Sequence, residues 1–254
     1  MVHGDDLAAN YLGLVVKRKM SERNDIPLVR TIGILALLVI LVGLSMMFVA
    51  RGLQDTPKDL DFKKRGMALQ FVTDGSSVNK IVGPDYSING PILRNAILID
   101  FPFILCYGAL FIAIGVLLSR RNCPWARYLG LMAIITGMTA AAFDVRENIN
   151  MLKVLDCVPC NPGPVLINNI NDSALAKWCL SFVTIGLLAI AFQDLPANLA
   201  RWISISFTIT ALLGLVGLWN HSLLWLSVGP QIIGLLLLVF TAFAHPQKLT
   251  EGSR

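Results

Sequence analysis

The sequence predicts an all-α protein: a polytopic integral membrane bundle of about six transmembrane helices. Three observations lead there. Of 254 residues, 55% are hydrophobic and only 15% are charged, against about 25% charged in a typical soluble domain. The mean hydropathy of +0.67 agrees, but the charge deficit is the stronger sign, because it leaves too few polar groups to cover a water-facing surface. Uncharged windows of about 20 residues also recur, each long enough to cross a hydrocarbon core of roughly 30 Å. Finally, the first 30 residues show no short apolar core followed by a small-residue cleavage site, so nothing there reads as a removable signal peptide.

The elements follow in order. Residues 1–30 form a polar leader. Its "LAANYLGLVVKRKM" reads either as a short amphipathic helix on the membrane surface, with Lys17, Arg18 and Lys19 toward headgroups, or as a disordered tail. The first span is the uncharged "TIGILALLVILVGLSMMFVA", 31–50. A polar loop, 51–94, comes next. Within it "GMALQFVTDGSSVNKIVG" allows a half-buried helix or two short strands, and "GPDYSINGP" reads as a loop from its Gly and Pro punctuation. The further spans fall at 96–118, 128–152, 175–192, 202–218 and 223–244. The last two are joined by "WNHS" alone, which makes them an antiparallel hairpin. A tail, 245–254, closes the chain.

Lys and Arg in the short loops set the orientation. Lys17, Arg18, Lys19, Arg23 and Arg30 in the leader fall on one side with Arg120, Arg121, Arg127, Arg201, Lys248 and Arg254. Both termini are then cytoplasmic and the 51–94 loop extracytoplasmic, in a multi-pass protein integral to the cytoplasmic membrane. The net charge of +5 is spread over these loops without a basic stripe carrying aromatics, so nucleic acid is not the expected partner.

Polar groups inside the apolar spans are the candidate site. "AAAFDVRENIN", 140–150, ends the third span with Asp144, Arg146, Glu147, Asn148 and Asn150. Asp144, Glu147 and Asn148 share a helical face, and Arg146 points away from it. With both termini inside, Asp144 lies roughly 24 Å along the outward-running third helix and Asp100 roughly 7 Å inward along the second. Lys177 falls in the first turn or so of the fourth. Tyr107, further down the second helix, borders the same level. Charges at a helix centre cost roughly 2.5–3.5 kcal/mol, less near the interface. Pairing lowers that cost, so Lys177 is expected to neutralise one or two of Asp100, Asp144 and Glu147. Such a cluster is either a polar clamp between three helices or a site for a headgroup, a cation or a proton.

The layout also resembles a loose group of small bacterial integral membrane proteins. They share an Asp near the start of the second helix, a D-x-x-E-N pattern late in the third and a Lys early in the fourth. Here those positions are Asp100, then Asp144, Glu147 and Asn148, then Lys177. The resemblance covers roughly 30–195 and implies a shared fold, but it brings no activity with it. This chain differs in its longer leader and in the additional hairpin at 202–244.

Cysteine chemistry is the rival. Five cysteines, an odd number, exclude a complete disulfide framework. Cys157 and Cys160 form a C-x-x-C pair just past the third span. Such a pair can cycle between dithiol and disulfide, staple the loop, or stay as free thiols. A membrane thiol oxidase generally needs a second pair, and Cys106, Cys123 and Cys179 are isolated. His3, His221 and His245 are too dispersed for a bis-His haem or a His-rich metal site, so no metal and no cofactor are expected. Phosphate-binding, nucleophile-elbow and dinucleotide motifs do not occur.

The expectation is therefore a non-catalytic structural or ligand-binding membrane component. Its polar centre is Asp100, Tyr107, Asp144, Glu147, Asn148 and Lys177. A thiol–disulfide oxidoreductase using Cys157 and Cys160 is the alternative, and a proton- or ion-coupled transporter the third reading. Its partners are the lipid bilayer and a membrane protein or small ligand of unknown kind.

Overall fold

The computed structural model describes residues 4–53, 65–83, 86–121, 123–158, 161–193, 195 and 198–250, the side chains of 4–24 and 221–222 excepted. Among these residues there are nine α-helices and no strand: α1 Gly4–Val49, α2 Arg65–Gln70, α3 Gly75–Val82, α4 Tyr86–Ser119, α5 Pro124–Cys157, α6 Pro164–Gln193, α7 Asn198–Gly217, α8 His221–Ala244 and α9 Gln247–Thr250. Six stretches are long and apolar enough to cross a membrane: Asp25–Gly52, α4, α5, α6, α7 and Leu223–Ala244. The protein is an all-α, multi-pass integral membrane bundle.

The six spans form a closed circuit. Each of α4 to α8 packs on its sequence neighbour, and α1 fits between α4 and α8 to close the ring. Apolar side chains from all sides fill its centre, among them Ile32, Phe111, Phe182, Ile185, Phe207 and Leu238. Leu105, Ile135, Leu212 and Phe240 point outward and are exposed. That inversion of the soluble pattern suits a surface solvated by lipid tails, where packing rather than water exclusion joins helices. At one end, Arg120 pairs with Asp25 of α1 at 2.9 Å, and Arg121 donates to the Leu249 carbonyl of α9 at 3.2 Å. This is the terminal end.

The opposite end carries a second, separate core. Leu69 of α2, with Val78 and Ile81 of α3, packs against Leu93 of α4, Met151 and Leu155 of α5 and Ile167 of α6. Burying each such aliphatic side chain is worth about 1.5–3 kcal/mol where water is the alternative. The "GMALQFVTDGSSVNKIVG" segment is thus two short helices rather than strands, and we call this region the cap. Asp74 begins α3 by accepting the Ser77 N–H at 2.9 Å, a strong N-cap. Gly83 ends it with φ +84°, its N–H returning to the Asn79 carbonyl at 2.9 Å, a conformation that favours glycine. Arg65 of α2, buried, donates to the carbonyls of Lys80 and Ile81 at the same helix end.

This cap corrects the expected boundaries. The stretch expected as the loop "GPDYSINGP" is helical from Tyr86 onward, so α4 begins ten residues before the expected start at 96. The Tyr86 hydroxyl donates to the Leu155 carbonyl at 2.6 Å and Asn89 Nδ2 to the Val82 carbonyl at 2.9 Å. These tethers outweigh the backbone bond that Pro91 cannot make. Likewise α5 runs to Cys157 rather than 152, and α6 starts at Pro164 rather than 175. The polar entry "NNINDSALAK" is helical because its Ile170 and Ala174, with Ile167 just before it, form a stripe that is fully covered. At the other end of the chain, the leader and first span form one helix, α1.

Candidate functional site

The polar centre lies between the two cores. α4 supplies Asp100 and Tyr107, α5 supplies Asp144, Glu147 and Asn148, and α6 supplies Lys177; all six are buried. The three helices present them at one level. Asp100 lies 14 residues from the start of α4, Asp144 13 from the end of α5 and Lys177 13 from the start of α6, each roughly 20 Å of helix. Lys177 is therefore in the fourth turn of its helix, not the first as expected, because α6 begins earlier. Measured from the terminal end, Lys177 stands roughly 24 Å above Gln193, just below the roughly 30 Å that α7 climbs before its turn. Trp219, 84% exposed, sits at that turn, as aromatics do at a membrane interface. The site thus lies near the level at which α7 turns.

Its geometry has two halves. Lys177 Nζ lies 2.7 Å from Asp144 Oδ1 and 2.8 Å from Glu147 Oε2. The first contact is a well-directed hydrogen bond. The second is a close ion pair to Oε2, and the other Glu147 oxygen, Oε1, has no partner among the described residues. The other Asp144 oxygen, Oδ2, accepts the Tyr107 hydroxyl at 2.9 Å. Asp100 stands apart from the lysine: its Oδ2 accepts Asn148 Nδ2 at 2.8 Å. One ammonium thus serves two carboxylates, and the third carboxylate has an amide donor and, among the described residues, no ion-pair partner. Arg146 is exposed on the far face of α5 and donates to Asn169 Oδ1 at 2.7 Å.

Three polar atoms at the centre are buried with neither a hydrogen-bond nor an ion-pair partner among the described residues: Glu147 Oε1, Asn148 Oδ1 and Ser173 Oγ. Native interiors satisfy most such atoms, so these three are the exceptions at the polar centre. Ser173 was missed in the sequence, although it lies one turn before Lys177 on the same face. Gln70 and Trp178 were missed too. Trp178 Nε1 donates to Gln70 Oε1 at 3.1 Å, which ties the cap to α6. The Trp178 ring lies 5.5 Å from the Lys177 ammonium, within cation–π range. Sequence spacing offers no signal for Gln70, because its link spans 108 residues.

A cavity of about 80 Å³ opens between cap and bundle beside Asp100 and Asn148. Gln70, Leu69, Met46 and Met151 complete most of its wall. Below the polar centre, toward the terminal end, the bundle is closed by Leu110, Phe111, Ile114 and Phe182, all buried.

The cysteines lie elsewhere. Cys157, the last residue of α5, is disulfide-bonded; Cys160 lies outside the described residues. Cys106, Cys123 and Cys179 are free thiols. Among the described residues no group of three or more His, Cys, Asp or Glu side chains is placed to hold a metal ion. The chain matches no known protein family, no curated protein and no solved structure.

Proposed function

We propose that this protein is a non-catalytic component of the cytoplasmic membrane, with both termini cytoplasmic and the cap extracytoplasmic. Its Asp100, Tyr107, Asp144, Glu147, Asn148 and Lys177 centre locks α4, α5 and α6 together and borders a small ligand site. The observation that carries this reading is Lys177 set between Asp144 and Glu147 at 2.7 and 2.8 Å in a buried position. A lysine so committed has no freedom to act as a mobile acid or base. The orientation is supported by Arg120, Arg121, Arg127, Arg201 and Lys248, which gather at the terminal end.

Rival readings draw less support. A cavity of about 80 Å³ is small beside the roughly 300–1,000 Å³ of organic-ligand pockets. A thiol–disulfide oxidoreductase would need a second cysteine pair to receive electrons, and Cys106, Cys123 and Cys179 are separate free thiols. For Cys157 a loop staple is the simpler role. A transporter needs a route past the polar centre, where Phe111 and Phe182 are packed.

The test is a rescue experiment on the purified protein in detergent. Lys177→Met strands two carboxylates, and breaking a buried pair in this way costs about 3–5 kcal/mol. Replacing the whole group, Lys177→Met with Asp144→Asn and Glu147→Gln, restores most of that loss if the charges act as a clamp. Full stability of Lys177→Met alone would sink the clamp.

A further inference from the structure

We propose that the cap-side half of the seam between α1 and α8 is a slot holding one acyl chain of a lipid from the cap-side leaflet, with the Gln231 amide turned toward that lipid's ester group. The clamp plays no part in this inference.

The seam is tight at the terminal end. A side chain started at Gly33 of α1 would lie 2.7 Å from Ala242 Cβ and 3.1 Å from the Phe243 ring of α8. Helical spacing carries a facing stripe outward from that contact on each helix. On α1, Gly33 and Ala36 are buried, Ile40 and Gly43 are half-buried, and Met47 is 53% exposed. On α8, Ala242, Leu238 and Leu235 are buried, and Gln231 and Val228 half-buried. The two stripes therefore part at one level. At Gly43 an added side chain would meet just the Phe103 ring of α4, at 3.5 Å, and no atom of α8. Further out, Gly52 lies against Ile92 of α4, so α1 stays with α4 as it leaves α8. Pro230 falls where the α8 stripe opens, and a proline inside a helix bends it.

Depth then selects the occupant. Burial on α1 stops at Val39, nine residues beyond Arg30, and on the α8 stripe it gives way beyond Leu235, nine before Ala244. Nine residues of helix are roughly 14 Å. The ten residues from Ile40 to Ala50, and from Gln231 back to His221, add roughly 15 Å. A floor at mid-depth beneath half of a roughly 30 Å core is the space of one leaflet. A spanning helix, roughly 10–12 Å wide, would strike that floor; a single chain ends there. Water is a poor occupant, because on these stripes Gln231 is the one polar side chain and a held water needs roughly two to four polar partners. Gln231 itself makes no hydrogen bond among the described residues. Its Cα–Cβ bond tilts toward the N-terminal, cap-side end of α8, the side from which an ester carbonyl enters.

The experiment uses the full chain in mild detergent, after exchange into phosphatidylcholine that carries a diazirine midway along one chain. Native mass spectrometry counts the lipids that stay bound, and photolysis with peptide mapping places the chain. The expected result is one retained lipid per protein, with adducts in 40–47 and 228–232 and none at Leu105 or Ile135, which face lipid elsewhere. Gly43→Trp fills the slot and should remove both the lipid and the adducts. Should that variant fail to fold, Val228→Trp fills the slot from the opposite wall and should do the same. Gln231→Leu should weaken retention about threefold, the worth of one hydrogen bond of about 0.6 kcal/mol in a membrane; unchanged retention overturns the amide's part. No retained lipid, adducts shared equally with Leu105 and Ile135, or retention that survives the tryptophan variants each overturns the proposal. Cross-linking of the slot residues to a second polypeptide would show a helix there and overturn it as well.

Discussion

α4, α5 and α6 are 34, 34 and 30 residues long, whereas α7 and α8 are 20 and 24. At 1.5 Å per residue the first three reach roughly 45–51 Å and the last two roughly 30–36 Å, so only the second group matches a hydrocarbon core of about 30 Å. The tall helices use their surplus to build the cap core, and near its base they carry every buried carboxylate and the buried lysine described above. The short hairpin holds no such group. Several of its hydroxyls are spent on backbone carbonyls: Ser204 Oγ donates to Ala189 of α6 at 2.8 Å, while Thr210 and Thr241 donate one turn back in their own helices. Contact is made instead by missing side chains. Gly214 lies against the Phe182 ring and Gly234 against the Phe207 ring. Close approach of small residues joins helices in both regions, since Gly115 of α4 and Gly130 of α5 also meet; the tall group alone adds opposite charges that need each other.

The two regions should therefore fail in different ways. The largest effect belongs to the tall group: Lys177→Met loses about 3–5 kcal/mol, read by denaturant unfolding, and the triple replacement recovers most of it. A comparable loss from a hydroxyl deletion in the hairpin would erase the contrast. Next comes added volume in the hairpin. Gly214→Ala drives a methyl into the Phe182 ring and should cost about 1–3 kcal/mol, the usual range for overpacking. Thermal melts that match wild type would mean that Phe182 has room to turn. Ser204→Ala removes the single hydroxyl link from α7 to Ala189. Hydrogen bonds between membrane helices average about 0.6 kcal/mol, so its melting curve should shift little.

The smallest effect lies in the cap. Hydroxyl donors from Ser76 and Ser77, with the Ser77 N–H, hold the Asp74 carboxyl well below its ordinary value of 3.8. A depressed acid contributes stability that is complete above that ordinary value and is lost as pH falls through the folded one. Amide exchange in α3 should accordingly be indifferent to acidification from pH 7 to 5 once corrected for intrinsic rates, and should speed up only in stronger acid. Asp74→Ala should loosen the same amides at neutral pH. If α3 already opens near pH 5, another group governs the cap.

Much of the tall group was legible in the sequence. Asp144, Glu147 and Asn148 had to share a face by helical spacing alone, and uncharged windows located the spans. Hydropathy could not show where those helices end, because the polar outer turns of α4 and α6 are helical through packing on α2 and α3. Their buried stripe, Met151 and Leu155 on α5 with Ile167 and Ile170 on α6, is visible once the partner is known. The pairing was half legible. Lys177 does take two carboxylates, but Asp100 is served by Asn148, and a side chain on α5 choosing α4 over α6 depends on rotation angles that spacing does not encode. The Gln70–Trp178 link and the cavity arise from long-range contact and had no local signal.

The order of the clamp along the chain has a consequence for synthesis. Asp144 precedes its lysine by 33 residues, and translation at about 5–20 residues per second makes that a gap of roughly 2–7 s. During it α4 and α5 carry three carboxylates with no ammonium to meet them. Until α6 arrives, these carboxylates are cheapest to keep beside water or the insertion machinery, which favours entry of the three spans as a set; the hairpin carries no such constraint.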